Sequence, residues 1–116
     1  MTRDEILAMD PGKDLDVLVS EKVMGWKKGH GSTWIVGKTT TGKLIQTWKF
    51  RRFSSDISAA WEVADKFYYT DVRKVNGTKW IVRVGIGDGR SYNATGNTAP
   101  EAICKSALLA HLEATS

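Results

Sequence analysis

The chain has 116 residues, a length typical of a single domain, and its hydrophobic fraction of 41% is that of an ordinary globular protein. Seventeen lysines and arginines face 13 aspartates and glutamates, a formal net charge of +4. No apolar run approaches the roughly 18 residues of a membrane span, and the N-terminus lacks a signal-peptide pattern, so we expect an intracellular protein with no membrane contact. Cys104 is the single cysteine, which excludes an internal disulfide, and we expect no metal and no cofactor.

Charge is segregated along the sequence. Residues 1–26 carry three bases against six acids, a net of −3, whereas residues 27–53 carry seven bases and no acid. An acid-free stretch of this length creates a local positive potential, which attracts phosphates or an acidic partner.

The first 25 residues carry helix signals. Thr2 followed three residues later by Glu5 is a capping box, and Asp10, followed by proline, restarts the helical pattern as an N-cap. Gly25 ends the run. We therefore predict one broken helix or two short ones, with residues 2–9 forming a helical arm available for oligomerisation.

A basic loop and a β-hairpin follow. Residues 27–32 form a Gly-rich basic loop, and the β-rich runs 34–36 and 44–48 are joined by a turn around residues 41–42. The segment Phe50-Arg51-Arg52-Phe53 carries the second strand to its end.

The next segment predicts a helix over residues 56–68, because Ser54, Ser55 and Asp56 offer three caps in front of it. Its apolar residues recur at helical spacing: Ile57, Ala60, Trp61, Ala64 and Phe67. We expect Trp61 to belong to the core.

A second hairpin follows, with Asn76-Gly77 as a type I′ turn signal. Apolar residues alternate along one face of its second strand: Trp80, Val82, Val84 and Ile86. Residues 85–89 are a glycine-rich turn, and residues 90–94 are a candidate further strand.

Thr98 and Glu101 form a capping box for a last helix, which has a proline in its first turn. Its apolar stripe comprises Ile103, Ala107, Leu108 and Leu112. The predicted fold class is α+β: a single domain over residues 1–116, with an antiparallel sheet of four to five strands (two hairpins) packed with three to four helices in the order α-β-β-α-β-β-(β)-α.

Three helical parts together resemble a known group of proteins. They run from Thr2 through Asp16 and on from Glu21 to Trp26, from Ser54 to Val63, and from Asn97 to Leu109. In this order they resemble the small bacteriophage and prophage proteins of the phage ABA sandwich domain family. The resemblance implies a phage gene product that works in the host cytoplasm, with helices packed on a sheet. It transfers no catalytic residues.

Catalytic residue types are sparse. A nucleophile needs a base within reach, and the histidines are His30 in a loop and His111 on the last helix. Cys104 falls on or beside the apolar stripe of its helix, where a buried structural thiol is expected. We therefore predict that the protein is not an enzyme.

Aromatic residues interleave with basic ones along the hairpin: Trp34, Trp48, Phe50 and Phe53 with Lys38, Lys49, Arg51 and Arg52. This pattern suits stacking on bases and contact with phosphates. Trp26 is either a core residue or a wall of the ligand site. The Phe-Arg-Arg-Phe turn lies beside the predicted start of a helix, whose free N–H groups favour anions. The candidate ligand-binding residues are Trp26, Lys28, His30, Lys49, Arg51, Arg52, Phe53 and Arg90. The alternative is that the aromatic residues form the core face of the hairpin and the basic residues its solvated face.

These features leave three hypotheses. The first is a non-enzymatic phage protein that sequesters an anionic, nucleotide-type small molecule to counter a bacterial defence system. The second is nucleic-acid binding through the basic region 27–53, and the third is inhibition of a host defence protein by direct contact. We also expect a homo-oligomer, because a chain of this size buries only about two-thirds of its unfolded surface and has five Trp, three Phe and three Tyr to place. The alternative is that the N-terminal arm folds back over its own sheet and the protein is a monomer.

Overall fold

The strands form two separate antiparallel sheets rather than one. The computed structural model describes residues 2–29, 33–48 and 51–114. Within these ranges the elements are, in chain order, α1 (Arg3–Ala8), α2 (Lys13–Lys22), β1 (Lys27–Lys28), β2 (Thr33–Lys38), β3 (Leu44–Trp48), α3 (Ile57–Ala64), β4 (Tyr69–Val75), β5 (Lys79–Gly85), β6 (Ser91–Gly96) and α4 (Ala99–Ala114). The first sheet has the order β1-β2-β3 and the second β4-β5-β6. The α+β class is thus confirmed, whereas the single sheet of four to five strands is wrong.

Helix α4 is the centre of the fold, because every residue from Glu101 to Ala110 is buried. One side of α4 packs on β5 and β6, and the other side packs on α1, α2 and α3. The predicted apolar stripe is therefore only part of the buried surface of this helix. Two charged residues share the interior: Lys105 Nζ lies 2.7 Å from Glu101 Oε2 and donates to the Leu7 carbonyl oxygen at 3.1 Å.

The N-terminal arm belongs to this core. Thr2 and Glu5 form the predicted capping box, and Ile6 is buried against the rest of the chain. The Arg3 guanidinium lies 3.3 Å from the Glu113 carboxylate at the far end of α4. Since α1 packs on its own α4, its buried side chain is not available to a neighbour, and oligomerisation stays a prediction.

Helix α2 begins later than predicted. Gly12, and not Asp10, is its N-cap, and no side chain caps it. A tertiary contact accounts for this: the Gly12 N–H donates to Ser54 Oγ at 2.9 Å and is therefore engaged outside the helix.

The second sheet covers α4 with the predicted face. Val82 and Val84 on β5 are fully buried, and the Asn76-Gly77 turn has positive φ at both residues, as a type I′ signal predicts. Tyr69 on β4 lies across from Gly85 on β5, and its ring occupies the space that a side chain at Gly85 would fill.

The first sheet extends the molecule to 49 Å along its longest axis, against 30 and 25 Å along the others. It contains the predicted hairpin of β2 and β3, with a bulge between Ile35 and Gly37. Strand β1 lies where a loop was expected, because Lys27 and Lys28 pair with Ile35 and Trp34.

Candidate functional site: a tryptophan groove beside a basic turn

An apolar groove of about 600 Å³ opens between α3, the inner face of β4 and β5, and the start of α4. This size falls within the range of small-molecule sites, about 300–1,000 Å³. We call it the tryptophan groove, and its lining residues are Ser55, Ile57, Trp61, Val72, Trp80, Thr98, Ala99 and Pro100.

Trp61 lies in this groove and not in the core, so the prediction for this residue was wrong: 45% of it is exposed. Helix α3 presents Ala59, Ala60 and Val63 to the core instead. Small side chains allow α3 to pack closely on α4, and the bulky indole is therefore directed to the opposite face. Ile57, one turn earlier, is exposed on the same side.

Trp80 forms the other wall of the groove. It lies near the start of β5, half-buried, and pairs across the strands with Lys74 of β4. The Lys74 ammonium lies 5.6 Å from the centre of the Trp80 ring, a cation–π contact. This contact brings a positive charge to one of the two indoles.

The basic turn, residues 51–56, adjoins the groove through Ser55. The Arg52 carbonyl oxygen accepts hydrogen bonds from the backbone N–H groups of Ser55 at 3.3 Å and Asp56 at 2.9 Å. The Arg52 side chain is exposed. The basic turn, which the sequence predicts as a ligand-binding edge, therefore lies next to the tryptophan groove, which the sequence does not predict.

A buried polar contact fixes this turn in place. Asp16 Oδ1 accepts from the Ser54 N–H at 2.7 Å and from Ser54 Oγ at 2.6 Å. Ser54 Oγ in turn accepts from the Gly12 N–H. Both Asp16 and Ser54 are buried, so the turn is anchored to the start of α2.

Arg51 pairs with Glu62 on α3, the residue after Trp61. About 40% of the Arg51 side chain is exposed, yet its Nε is buried and has no hydrogen-bond partner among the described residues. A buried donor without a partner costs about 1–3 kcal/mol, which an anionic ligand or a water molecule would relieve.

Phe53 is a core residue. It is fully buried, and its ring centre lies 5.6 Å from that of the half-buried Trp26, with the planes tilted by 49°. Phe53 has no surface that a ligand could reach, which favours the core interpretation for this residue, whereas Trp26 packs against the core and keeps part of its surface exposed. Trp34 is also fully buried.

The N-terminus of α3 is less open to an anion than the sequence suggested. Asp56 is its N-cap, and its carboxylate accepts from the N–H groups of Ser58 and Ala59 at 2.9 and 3.4 Å. A second anion there would meet both an occupied pair of donors and a negative charge.

Two of the remaining candidate residues, Lys28 and Arg90, do not line the groove. Lys28 is exposed on β1, and His30 and Lys49 lie outside the described residues. Arg90 lies in the turn between β5 and β6, where its Nε donates to Asp88 at 2.7 Å. The backbone N–H and then the guanidinium of Arg90 hold the pKa of Asp88 below its usual value.

Cys104 is buried in α4, and burial, followed by the charge of Asp16, raises the pKa of its thiol, which keeps it protonated. In the described part of the chain, no three histidine, cysteine, aspartate or glutamate side chains form a metal-binding cluster. Nor does any helix of that part have the length and apolarity needed to cross a membrane.

Comparisons with known proteins agree with the fold. A family model described as the phage ABA sandwich domain matches residues 17–108, which include all the groove-lining residues. A 2.0 Å crystal structure of a phage protein from Bacillus cereus ATCC 14579 is similar, with a TM-score of 0.65 and 29% sequence identity. That similarity covers 87% of this chain and 91% of the other. No curated protein matches this chain.

Proposed function

Since this chain belongs to the phage ABA sandwich domain family, we propose that it is a phage-encoded binding protein that holds an anionic, nucleotide-type ligand in the tryptophan groove. By sequestering such a molecule in the host cytoplasm, it would counter a bacterial defence system that depends on the molecule as a signal.

The observation that carries this proposal is the presence of two accessible indoles in one groove. Trp61 and Trp80 come from different elements, yet both line the same apolar space. A flat aromatic base suits such walls, because stacking of a base on an aromatic side chain contributes about 1–3 kcal/mol. The half-exposed state of both residues gives a ligand apolar surface to cover.

Positive charge next to the groove supports an anionic ligand. Lys74 lies over Trp80, and Arg52 is exposed on the basic turn next to Ser55. Among the described residues that line the groove, none carries a carboxylate. A phosphate beside a stacked base would therefore meet cations, and each charge-assisted hydrogen bond contributes about 1.5–3 kcal/mol.

The lining also favours binding without turnover. Its polar side chains are the hydroxyls of Ser55 and Thr98, and Thr98 Oγ1 already accepts the Glu101 N–H at 3.3 Å as a helix cap. Hydroxyls without an adjacent base are poor nucleophiles. A ligand in this groove would be held and released unchanged.

Calorimetric titration with adenosine and guanosine mono- and triphosphates tests the stacking role. We expect Trp61→Ala and Trp80→Ala each to weaken nucleotide binding about 5- to 150-fold, the equivalent of about 1–3 kcal/mol. Trp61→Phe, which keeps an aromatic ring, should lose less than Trp61→Ala. Tyr68→Ala is the matched control, because Tyr68 is 80% exposed but lies outside the groove, next to Gly87.

The basic turn is tested separately. The double variant Arg51→Ala, Arg52→Ala should abolish nucleotide binding while leaving stability nearly intact, because the Arg51–Glu62 pair is exposed and such pairs contribute about 0–1 kcal/mol. The double variant Lys22→Ala, Lys66→Ala is the charge-matched control, because it also removes two exposed cations, one at the end of α2 and one beyond the end of α3. Equal affinity in the wild type and in all groove and turn variants would contradict the proposed site.

The first sheet favours a second candidate function. It is built entirely from the acid-free region. Three exposed lysines lie on its strands, Lys27, Lys28 and Lys38, and a fourth exposed lysine, Lys43, directly precedes β3. This distribution suits nucleic-acid binding, for which the logarithm of the association constant falls linearly with the logarithm of the salt concentration. The experiment measures how steeply the association constant for nucleic acid falls with salt. If this dependence is steep, if Lys27→Ala and Lys28→Ala reduce it, and if Trp61→Ala leaves it unchanged, nucleic acid is favoured over the nucleotide.

A further inference from the structure

Strand β4 is a long, regular and unpaired sheet edge. It has seven residues, Tyr69–Val75, and pairs with β5 on one side, while the described part of the chain places no strand on the other. Neither a proline nor a bulge interrupts it. Such an edge presents a row of backbone N–H and C=O groups that can template pairing with another strand.

We propose that two copies of this chain associate through antiparallel pairing of their β4 edges, centred on Val72. Two three-stranded sheets then become one continuous sheet of six strands. The contact is isologous, as expected for a two-fold dimer, because the same strand is used on both sides.

Self-complementary charge supports this partner and this register. Asp71 and Arg73 flank Val72 and already pair within the strand at 3.2 Å, on the face away from α4. Pairing centred on Val72 places Asp71 opposite Arg73 of the second copy, and Arg73 opposite the second Asp71. Opposite charges directly across two strands stabilise the pair, whereas like charges destabilise it.

Other registers are less favourable. In antiparallel pairing, two residues directly opposite each other either both direct their backbone groups to the shared edge or both direct them away from it. The symmetry axis therefore falls on a single residue, and allowed registers differ by whole residues at that axis. Centring the pair on residue 71 places two aspartates opposite each other, and centring it on residue 73 places two arginines opposite each other. The register centred on Val72 also uses all seven residues and places the partly exposed Tyr69 opposite Val75.

The dimer would bring two binding sites together. Val72 lines the tryptophan groove and lies at the proposed symmetry axis, so the two grooves would adjoin across the shared sheet. The dimer itself rests on the strand edge alone and does not depend on what the groove binds.

Charge reversal gives a direct test by sedimentation velocity on the full-length chain. We expect a dimer for the wild type, and a dissociation constant at least about tenfold higher for Asp71→Arg and for Arg73→Asp, because each variant faces like charges in its own dimer. An equimolar mixture of the two variants should dimerise again, since each Arg then faces an Asp. The double variant Asp71→Arg, Arg73→Asp should also dimerise.

Recovery in the mixture cannot come from variants that fail to fold, and nucleotide titration of each variant reports independently on the groove. A monomeric wild type at about 100 µM would overturn the proposal. A dimer that persists in both single charge-reversal variants would also overturn it. The same holds if deletion of residues 2–9 abolishes the dimer and the charge reversals do not. If every variant is unstable, hydrogen exchange of the wild type decides: protection of β4 amides must rise with protein concentration.

Discussion

Replacing Lys105 by methionine leaves the Glu101 carboxylate buried without its ammonium partner. The two side chains are only 5% and 7% exposed, and Lys105 Nζ donates at 2.7 Å to Glu101 and at 3.1 Å to the Leu7 carbonyl oxygen. Two hydrogen bonds to a charged group, at about 1.5–3 kcal/mol each, give an expected loss of about 3–6 kcal/mol. Breaking a buried ion pair typically costs about 3–5 kcal/mol, in agreement.

Urea unfolding followed by circular dichroism at pH 7 measures this loss. The double variant Glu101→Gln, Lys105→Met is the control, because removal of both charges leaves no buried ion unpaired and should recover much of the lost free energy of unfolding. A free energy of unfolding of the Lys105→Met variant within about 1 kcal/mol of the wild-type value would refute the reasoning, because a buried Glu101 carboxylate without its partner should cost more than that.

Three further predictions concern packing and titration. Burial raises the pKa of the Cys104 thiol, so the thiol stays protonated in the folded state. Above the pKa of the unfolded chain, about 8.5, the free energy of unfolding should therefore fall with rising pH, by up to about 1.4 kcal/mol per pH unit. Cys104→Ala should remove this part of the pH dependence in urea titrations. Gly85→Ala should lower the free energy of unfolding by up to about 1 kcal/mol, because a side chain at Gly85 displaces the Tyr69 ring, which is 44% exposed and can turn away. A loss above about 3 kcal/mol in urea unfolding would contradict this, since the ring would then be fixed in place. In thermal melts Val63→Ala should destabilise the protein more than Trp61→Ala does, because Val63 is fully buried and Trp61 is 45% exposed, and the reverse order would place Trp61 in the core.

Local signals predicted the local structure well. The capping box of Thr2 and Glu5, the cap at Thr98 and the Asn76-Gly77 turn depend on neighbours within a few residues, and all three are present. The alternation of Val82 and Val84 correctly predicted which face of β5 is buried, because successive side chains of a strand point to opposite faces and the apolar ones face the core.

The predictions were wrong where the local structure depends on a contact between residues that are far apart in the sequence. Residues 57–64 are apolar around most of the helix, so periodicity could not choose between the face of Trp61 and the face of Val63, and the close approach of α4 chose the latter. The start of α2 depends on Ser54, 42 residues away from Gly12. Likewise the sequence predicts hairpins but not whether they join, and the two hairpins lie in different sheets.

The candidate site was predicted only in part for the same reason. The basic turn was identified from its arginines, but its proximity to Trp61 and Trp80 follows from tertiary packing. Ala59 and Val63, two apolar residues of α3 outside the predicted stripe, were the signal that this helix could bury a face without Trp61.

Native mass spectrometry of the protein purified from bacterial cells tests the central claim most directly. The account predicts a retained small molecule with the mass of a nucleotide on the wild type, and its loss from the Trp61→Ala, Trp80→Ala double variant. A wild type that stays free of ligand, also after incubation with a nucleotide-rich small-molecule extract of phage-infected cells, or a nucleotide that the double variant keeps equally well, would contradict it.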